Sequence, residues 1–323
     1  MDPNRFFASS NMLIVAGKGG VGKTATAATC ATAAARTGMS VLLLEIGGRC
    51  ASAPLFGVSH IGYQPSVVRP GVDGCGPIRA RSITPDDALV EWLSQHGFRR
   101  IVRRMARSGL LEVIATATPG IKDLLVLGKV RNIEEARVAD LMVVDAAAAG
   151  HALGFLRAPA AIRDTARAGT IHHQAVEALD LLSDPARTRV MLVTLAEETP
   201  VNELIETAFA VEDEIGVTLT PVVVNALLPE LAGLDDSLDD VDERGSPTGV
   251  SAAAVADLAR AAAFRAARTE LQTEQVTRLR RALPLHQLHL PQVMTPKVGP
   301  GELETLADAL ISQIEALPDE VDP

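Results

Sequence analysis

Short apolar runs alternate with longer stretches of helical character along most of the chain. The runs have the length and composition of buried strands and end at glycines or polar residues: Met12–Ala16, Val41–Ile46, Leu141–Asp145, Val190–Leu195, Pro221–Asn225 and Leu285–Leu290. Strands that alternate with helices build parallel sheets whose two faces are both covered. The pattern therefore predicts an α/β fold with a mostly parallel central sheet flanked by helices.

One interval, between the second and third of these runs, is much longer than the others. We predict that residues 57–138 form a mainly helical insertion, because Thr84, Pro85 and Asp86 have the residue types that begin a helix. Apolar residues then recur at helical spacing: Ala88, Leu89, Trp92, Leu93, Ile101, Val102 and Met105. The opposite face carries a row of arginines: Arg99, Arg100, Arg103, Arg104 and Arg107. This face is either solvated or binds a partner or an anionic surface.

A later segment, residues 234–250, contains six acidic side chains together with glycine and proline and shows no apolar period. This composition predicts a mobile acidic loop. The helical pattern resumes after it, so we treat residues 1–323 as a single domain.

Composition and charge narrow the functional classes. The net charge is −10, which argues against nucleic acid as a partner because phosphate contacts need clustered Lys and Arg. Cys30, Cys50 and Cys75 form no Cys-x-x-Cys pair and cannot all be paired, which favours a reducing compartment. The first residues lack the basic flank and apolar core of a secretory signal, and no apolar run is long enough to span a bilayer. We therefore expect a cytoplasmic protein.

The stretch GKGGVGKTA, which follows the first predicted strand, contains the pattern Gly-x4-Gly-Lys-Thr. Glycines let backbone N–H groups curl around phosphate oxygens, and the helix that begins here points its positive end at them. We expect every residue of the stretch to contact a nucleotide: Gly17, Lys18, Gly19, Gly20, Val21, Gly22, Lys23, Thr24 and Ala25. Lys23 is expected to bind the β- and γ-phosphates, and the Thr24 hydroxyl to bind Mg²⁺. The sequence thus predicts a P-loop NTPase.

A second lysine, Lys18, follows the first glycine of this loop. The loop folds its side chain away from the phosphates that its own backbone holds, so Lys18 has no evident role in its own site. It has a role if it reaches a nucleotide held by a second subunit, where a cation stabilises the charge that develops during phosphoryl transfer. This form of the loop resembles the deviant Walker A ATPases. The second lysine therefore implies a dimer, with Lys18 and Lys23 as catalytic candidates.

Three later segments resemble one branch of that class, the ArsA-like ATPases of arsenite pumps and tail-anchored-protein targeting. The segment VVDAAAAGHALGFLRAP resembles their switch II, which implies that Asp145 holds Mg²⁺ through water. The segment PVVVNALLPE resembles the one in which an asparagine recognises adenine, which implies that role for Asn225 and ATP as the nucleotide. The segment TPGIKDLLVLGKV also resembles a family segment. We include Pro291, after the last predicted strand, among the nucleotide contacts.

The chain departs from that family at its switches. Gly47 stands where the family has the switch I aspartate that positions the attacking water. Glu45 is the candidate catalytic replacement, although a carboxylate here can also cap a helix or pair with Arg49, and weak hydrolysis is a further alternative. Residues 147–149 are all alanine where the family has proline and threonine. We expect this departure to affect the coupling of ATP hydrolysis to conformational movement, and not the binding of the nucleotide.

The sequence is compatible with three functions. The first is an ATP-driven dimeric switch that acts on a protein or hydrophobic client, such as a membrane protein. The second is a nucleotide-binding regulatory subunit that forms a heterodimer with a paralogous ATPase, and the departures at the switches favour it. The third is a partition-type ATPase that binds DNA; the arginine face favours it, whereas the Asn225 segment and the acidic charge argue against it.

Overall fold

The computed structural model describes residues 1–48, 50–95, 120–146, 152–231 and 251–319. Its strands are β1 (Met12–Gly17), β2 (Val41–Ile46), β3 (Ser66–Arg69), β4 (Ile78–Ile83), β5 (Leu141–Asp145), β6 (Thr188–Leu195), β7 (Thr218–Leu219), β8 (Val222–Leu227) and β9 (Gln287–Pro291). They form one sheet in the order β3-β4-β2-β5-β1-β6-β8-β9, with β7 paired to β6. Each predicted strand is present within a few residues of its predicted bounds.

The strand pairings are parallel except at one edge, where β3 runs antiparallel to β4. β1 lies in the middle and pairs with β5 on one side and β6 on the other. The carboxyl ends of these three strands therefore meet at one edge of the sheet, where ligands bind in open α/β sheets. The predicted α/β class with a mostly parallel sheet is confirmed.

Helices cover both faces of the sheet. They are α1 (Pro3–Phe7), α2 (Lys23–Arg36), α3 (Pro85–Gln95), α4 (Ile121–Glu135), α5 (Ala152–Thr165), α6 (Thr170–Ser183), α7 (Glu198–Ile215), α8 (Ala252–Ala282) and α9 (Pro300–Glu315), with a short 3-10 helix at Ala53–Phe56. One buried cluster joins the sheet to α1, α2 and α9, and the other joins it to α3 through α8.

The central strand β1 shows why the fold needs apolar residues throughout its strands. Met12, Ile14 and Ala16 pack in one cluster, whereas Leu13 and Val15 pack in the other, because successive side chains of a strand point to opposite faces. Helix α2 is buried along most of its length, and its alanines let it lie close to the sheet. Only 3% of the residues are aromatic, and the core is instead filled by closely packed small aliphatic side chains.

The prediction that residues 57–138 are mainly helical needs a correction. Helices α3 and α4 lie in this range, and Thr84 Oγ1 accepts a hydrogen bond from Asp87 N at the start of α3. However, β3 and β4 also lie there, and β4 pairs directly with β2 of the central sheet. Two arginines, Arg79 and Arg81, interrupt the apolar character of β4, so it does not resemble a buried strand in the sequence. Residues 96–119, with the arginine face, and the acidic loop 234–250 lie outside the described residues.

Candidate nucleotide site

The turn between β1 and α2 has the backbone of a phosphate-binding loop. Gly17 and Gly22 have φ values of 153° and 90°, which are unfavourable for residues with a side chain. A Cβ atom at Gly17 would collide with the carbonyl oxygen of Val193, and one at Gly22 would collide with the side chain of Asn225. Glycine is therefore required at both ends of the loop by its neighbours as well as by its conformation.

The backbone N–H groups of this loop have no hydrogen-bond acceptor among the described residues. In the described part of the structure, the backbone N–H groups of residues 18–22 donate no hydrogen bond. Helix α2 begins directly after them at Lys23, and Gly22 offers no side chain to cap it. The positive end of the helix and these N–H groups together form a site for an anion.

Lys23 adds a charge to the inner side of the loop. Its side chain is buried, with 5% exposed, and Nζ donates a hydrogen bond of 2.7 Å to the carbonyl oxygen of Lys18. The bond spans the loop from the first turn of α2 to the residue after β1. An ammonium group held in this way lies beside any phosphate that the loop binds.

Thr24 and Asp145 form the second part of the site. Thr24 Oγ1 donates a hydrogen bond of 2.7 Å to Asp145 Oδ2, so the first turn of α2 meets the carboxyl end of β5. The pKa of Asp145 is raised to about 6, chiefly by burial and also by the charge of Glu45, although the hydrogen bond from Thr24 and the charge of Lys23 lower it. A hydroxyl and a buried carboxylate are the oxygen ligands that Mg²⁺ prefers, so this pair fits the metal.

Glu45 lies beside Asp145, which it faces across the β2–β5 pair. Its carboxylate accepts hydrogen bonds from Ala51 N at 3.0 Å and Ser52 N at 3.1 Å. It also accepts one from Ser52 Oγ at 2.7 Å. These contacts are those of a cap on the turn before the 3-10 helix, one of the two structural alternatives to a catalytic role. The other proposed partner, Arg49, lies outside the described residues.

Lys18, which has no evident role in its own site from the sequence, does have a contact within its own chain. Lys18 Nζ forms an ion pair with Glu203 Oε1 on α7. The Lys18 side chain is 48% exposed and that of Glu203 is 33% exposed. The pair lies at the edge of a cleft of about 360 Å³ that runs from Gly17 along α7. No motif in the sequence singled out Glu203, which is 185 positions from Lys18.

Asn225 and Pro291 lie at the same edge of the sheet as the loop. Asn225 Nδ2 donates a hydrogen bond of 2.9 Å to the carbonyl oxygen of Val21. Pro291 is opposite Leu227, two residues beyond Asn225 on β8. The structure thus joins Asn225 to the phosphate loop directly, whereas Pro291 shares only its end of the sheet.

Other predicted features give no further site in the described residues. The alanines at 147–149 and His151 of the switch II segment lie outside them. Where side chains are described, no three His, Cys, Asp or Glu residues cluster as metal ligands. No described helix combines the length and apolar character needed to cross a bilayer.

Comparison with known proteins identifies relatives of this chain. The ArsA family model, described as anion-transporting ATPase, matches residues 10–179. "ATPase BagA" of Mycobacterium tuberculosis is 34% identical over 225 residues, which cover 67% of this chain and 65% of the relative. A "putative arsenical pump-driving ATPase" of Halobacterium salinarum is 27% identical over 235 residues, 68% of this chain and 36% of that protein. "ATPase get3" of Schizosaccharomyces japonicus is 30% identical over 151 residues, 47% of this chain and 44% of that protein.

The matched segments span just under two thirds of BagA and smaller shares of the other two relatives. The family match covers more than half of this chain and includes β1, the phosphate loop, α2 and the Asp145 strand. The predicted resemblance to the ArsA-like ATPases is confirmed. The chain belongs to the ArsA family of anion-transporting ATPases.

Proposed function

We propose that this chain binds ATP with Mg²⁺ at the loop of residues 17–25, hydrolyses it, and works in the cytoplasm as a dimeric switch on a protein or hydrophobic client. The observation that carries the proposal is the row of backbone N–H groups at residues 18–22, which donate to no described residue and lie next to the Thr24–Asp145 pair. This combination supplies donors for phosphate and oxygen ligands for a cation within one turn of helix α2.

Each residue has a role that its contacts support. The loop N–H groups hold phosphate oxygens, and Lys23 neutralises the charge of the β- and γ-phosphates. Thr24 would bind Mg²⁺ directly and Asp145 through water; bound there, the metal neutralises charge on the phosphates. The raised pKa of Asp145 supports this role, because a nearby cation would stabilise the buried carboxylate.

The choice of adenine rests on the amide of Asn225. Its Nδ2 group donates to Val21 O, and no described residue donates to its Oδ1 atom. This oxygen can accept from the exocyclic amine of adenine, whereas guanine presents a carbonyl oxygen at the corresponding position. Pro291, at the same end of the sheet, supplies an apolar surface for the base.

The proposal of a dimer rests on Lys18, whose ion pair with Glu203 would have to break when the dimer forms. If two phosphate loops face each other in a dimer, Lys18 must exchange Glu203 for the phosphates bound to the partner. Both side chains are partly exposed, and an exposed ion pair contributes only about 0–1 kcal/mol. The exchange therefore costs little, and contact with a multiply charged phosphate in an enclosed interface offsets it.

A second candidate function is a nucleotide-binding subunit that relies on a paralogous ATPase for hydrolysis. The observation that favours it lies at the end of β2. The carboxylate of Glu45 already accepts hydrogen bonds from Ala51 and Ser52, and Gly47 has no side chain. No other carboxylate in residues 45–48 or 50–52 is available to position water. A heterodimer would supply the carboxylate from the other chain.

The test is sedimentation velocity with and without Mg-ATP, alone and with a paralogous chain, together with steady-state ATPase rates. We expect ATP-dependent dimers of the parent chain or of the pair, and none with Lys18→Ala. Glu203→Gln should strengthen assembly about two- to fivefold, because it removes the competing ion pair. Glu206→Gln is the matched control, since Glu206 borders the same cleft and forms no ion pair in the described residues.

The outcomes separate the two candidates. ATP-dependent dimers with measurable turnover by the chain alone support the active switch. Dimers and turnover that require the paralogue support the regulatory subunit. Chains that stay monomeric in every mixture, with unchanged behaviour of Lys18→Ala, would remove the basis for both.

A further inference from the structure

A separate cavity lies on the side of the sheet covered by α4, near the amino ends of β2 and β4 and away from the phosphate loop. Its volume is about 250 Å³. Apolar side chains such as Leu42 and Ile133 form part of its wall. The polar part consists of Arg79, Arg81, Lys129 and Asn132, and no described acidic residue lines the cavity. The cavity has no part in the nucleotide site.

Arg81 is the unusual member of this set. It is 8% exposed, and no described residue accepts a hydrogen bond from its guanidinium group or forms an ion pair with it. The guanidinium group instead stacks on an aromatic ring: Cζ lies 4.7 Å from the centre of the Tyr63 ring. A buried arginine is normally paired with a carboxylate or saturated with hydrogen bonds, because an unpaired buried charge is costly. Among the described residues, Arg81 therefore has no anionic partner, and its Nε is buried without an acceptor.

The surrounding charges do not supply that anion. Arg79 donates to the carbonyl oxygen of Val138 and has further donors. Lys129 pairs with Glu91 at 2.5 Å, and Glu91 also accepts from the Tyr63 hydroxyl. Glu91 is near enough to interact with Arg81 through space but lies beyond ion-pair distance. Among the described residues, Arg79, Arg81 and Lys129 thus share one nearby carboxylate, Glu91, which already binds Lys129 and Tyr63.

We propose that this cavity binds a small organic anion, a carboxylate carried on a short aliphatic body. The planar guanidinium of Arg81 matches a carboxylate through two parallel hydrogen bonds, and Arg79 and Asn132 offer further donors. The apolar wall favours a ligand with a hydrocarbon part over inorganic phosphate. The volume suits a molecule smaller than a nucleotide, since pockets for drug-sized ligands begin at about 300 Å³.

Titration calorimetry and thermal unfolding of the full chain test this with butanoate, hexanoate and octanoate at matched ionic strength, and with inorganic phosphate as a separate arm. We expect saturable binding and a raised Tm with at least one carboxylate. Arg81→Met, which keeps the aliphatic stem, should weaken that binding at least tenfold. Arg131→Gln is the matched control: Arg131 lies on α4 beside the cavity but pairs with Glu135 and Glu177. It should bind as the parent does.

Three results would overturn the proposal: a folded parent that binds none of the carboxylates, equal binding by Arg81→Met, or binding of phosphate alone. If Arg81→Met does not fold, Arg81→Lys and Arg79→Gln replace it. Reduced affinity in either supports the proposal, and unchanged affinity in both overturns it. ATP affinity should be the same in the parent and all of these variants, which separates this cavity from the nucleotide site.

Discussion

Two turns at the carboxyl edge of the sheet begin alike and end differently. The turn after β1 and the turn after β2 each follow a buried parallel strand, contain glycines with positive φ, and lead into a helix. In the first turn, the N–H groups of residues 18–22 donate to no described residue. In the second, the N–H groups of Ala51 and Ser52 donate to the carboxylate of Glu45.

The two turns show that the unpaired N–H groups at the amino end of a helix can either bind a ligand or stabilise the fold. The amino end of a helix has N–H groups without partners and attracts negative charge. The second turn satisfies this need with a carboxylate from its own strand. The first turn has no acidic residue between Gly17 and Ala25, so the negative charge has to come from a ligand. This contrast supports the proposal that the first turn binds phosphate, whereas Glu45 stabilises the second turn.

The largest expected effect is at Lys23, which adds positive charge to the first turn. Lys23→Ala should lower ATP affinity by about a hundredfold or more, near 3 kcal/mol, measured by titration calorimetry. Lys18→Ala is the matched control in the same turn and should bind ATP nearly as the parent does. Equal affinity of Lys23→Ala and the parent would show that this turn does not bind phosphate.

The next effect concerns Asp145, whose carboxyl is buried between the two turns. Its pKa of about 6 in the folded protein lies above the ordinary value of 3.8, so the protonated form is favoured by folding. Its contribution to stability is therefore complete below about pH 3.8 and is lost as the pH rises through 6. In nucleotide- and metal-free protein, Asp145→Asn should raise the free energy of unfolding by about 1–3 kcal/mol at pH 8 and hardly at pH 4.

With Mg-ATP the order of stability should reverse, because the parent carboxylate would be held by the cation and the amide would not. Urea unfolding at both pH values, with and without Mg-ATP, measures this. Thr24→Val is the companion variant: it removes the hydrogen bond to Asp145 but keeps the carboxylate. A parent that is more stable than Asp145→Asn at pH 8 without ligands would contradict the assignment of a costly buried charge.

Glu45→Gln should act mainly on stability. The amide keeps one acceptor but loses the charge that receives hydrogen bonds from Ala51 and Ser52, so we expect a loss of about 1–3 kcal/mol in the free energy of unfolding. The ATPase rate per folded molecule should change less than threefold. Ser52→Ala, which removes one of these hydrogen bonds, should shift stability in the same direction by a smaller amount. A large loss of rate at unchanged stability would make Glu45 the catalytic base.

The parts of the site that could be predicted from the sequence are those fixed by local order. Lys23 and Thr24 are such parts, because they begin a helix directly after a glycine turn. Asp145 was instead predicted from the resemblance of its segment to switch II, and its place beside Thr24 depends on the pairing of β5 with β1. Glu203 was missed because its contact with Lys18 depends on how α7 packs. Strand β4 was missed because Arg81 is polar in the sequence yet buried against Tyr63 in the fold.

The adenine contact joins the first turn to β8, and its expected effect is smaller. Asn225 holds Val21 O through Nδ2, which leaves Oδ1 to accept from the adenine amine. Competition binding should show ATP preferred over GTP by about tenfold, near 1.4 kcal/mol. Asn225→Asp keeps the acceptor and loses the donor to Val21, so it should lower affinity for both nucleotides and retain the preference. Equal affinity of the parent for ATP and GTP would contradict the assignment.

The smallest effect is expected from restoring an aspartate to the second turn. Gly47 stands at the family's switch I position, and a Cβ atom there would meet no atom of a described residue within 4 Å, which leaves space for a side chain. Its φ of 110° is strained for any other residue, which should cost about 1 kcal/mol or more of stability. We still expect Gly47→Asp to raise the steady-state ATPase rate by a few fold, because a carboxylate free of Ala51 and Ser52 would then face the site. Gly47→Asn is the matched control: asparagine has nearly the same size and tolerance of positive φ but carries no charge. If the two variants have the same rate, or if the parent already turns over briskly, the second turn does not limit hydrolysis and the argument for a regulatory subunit loses its main support.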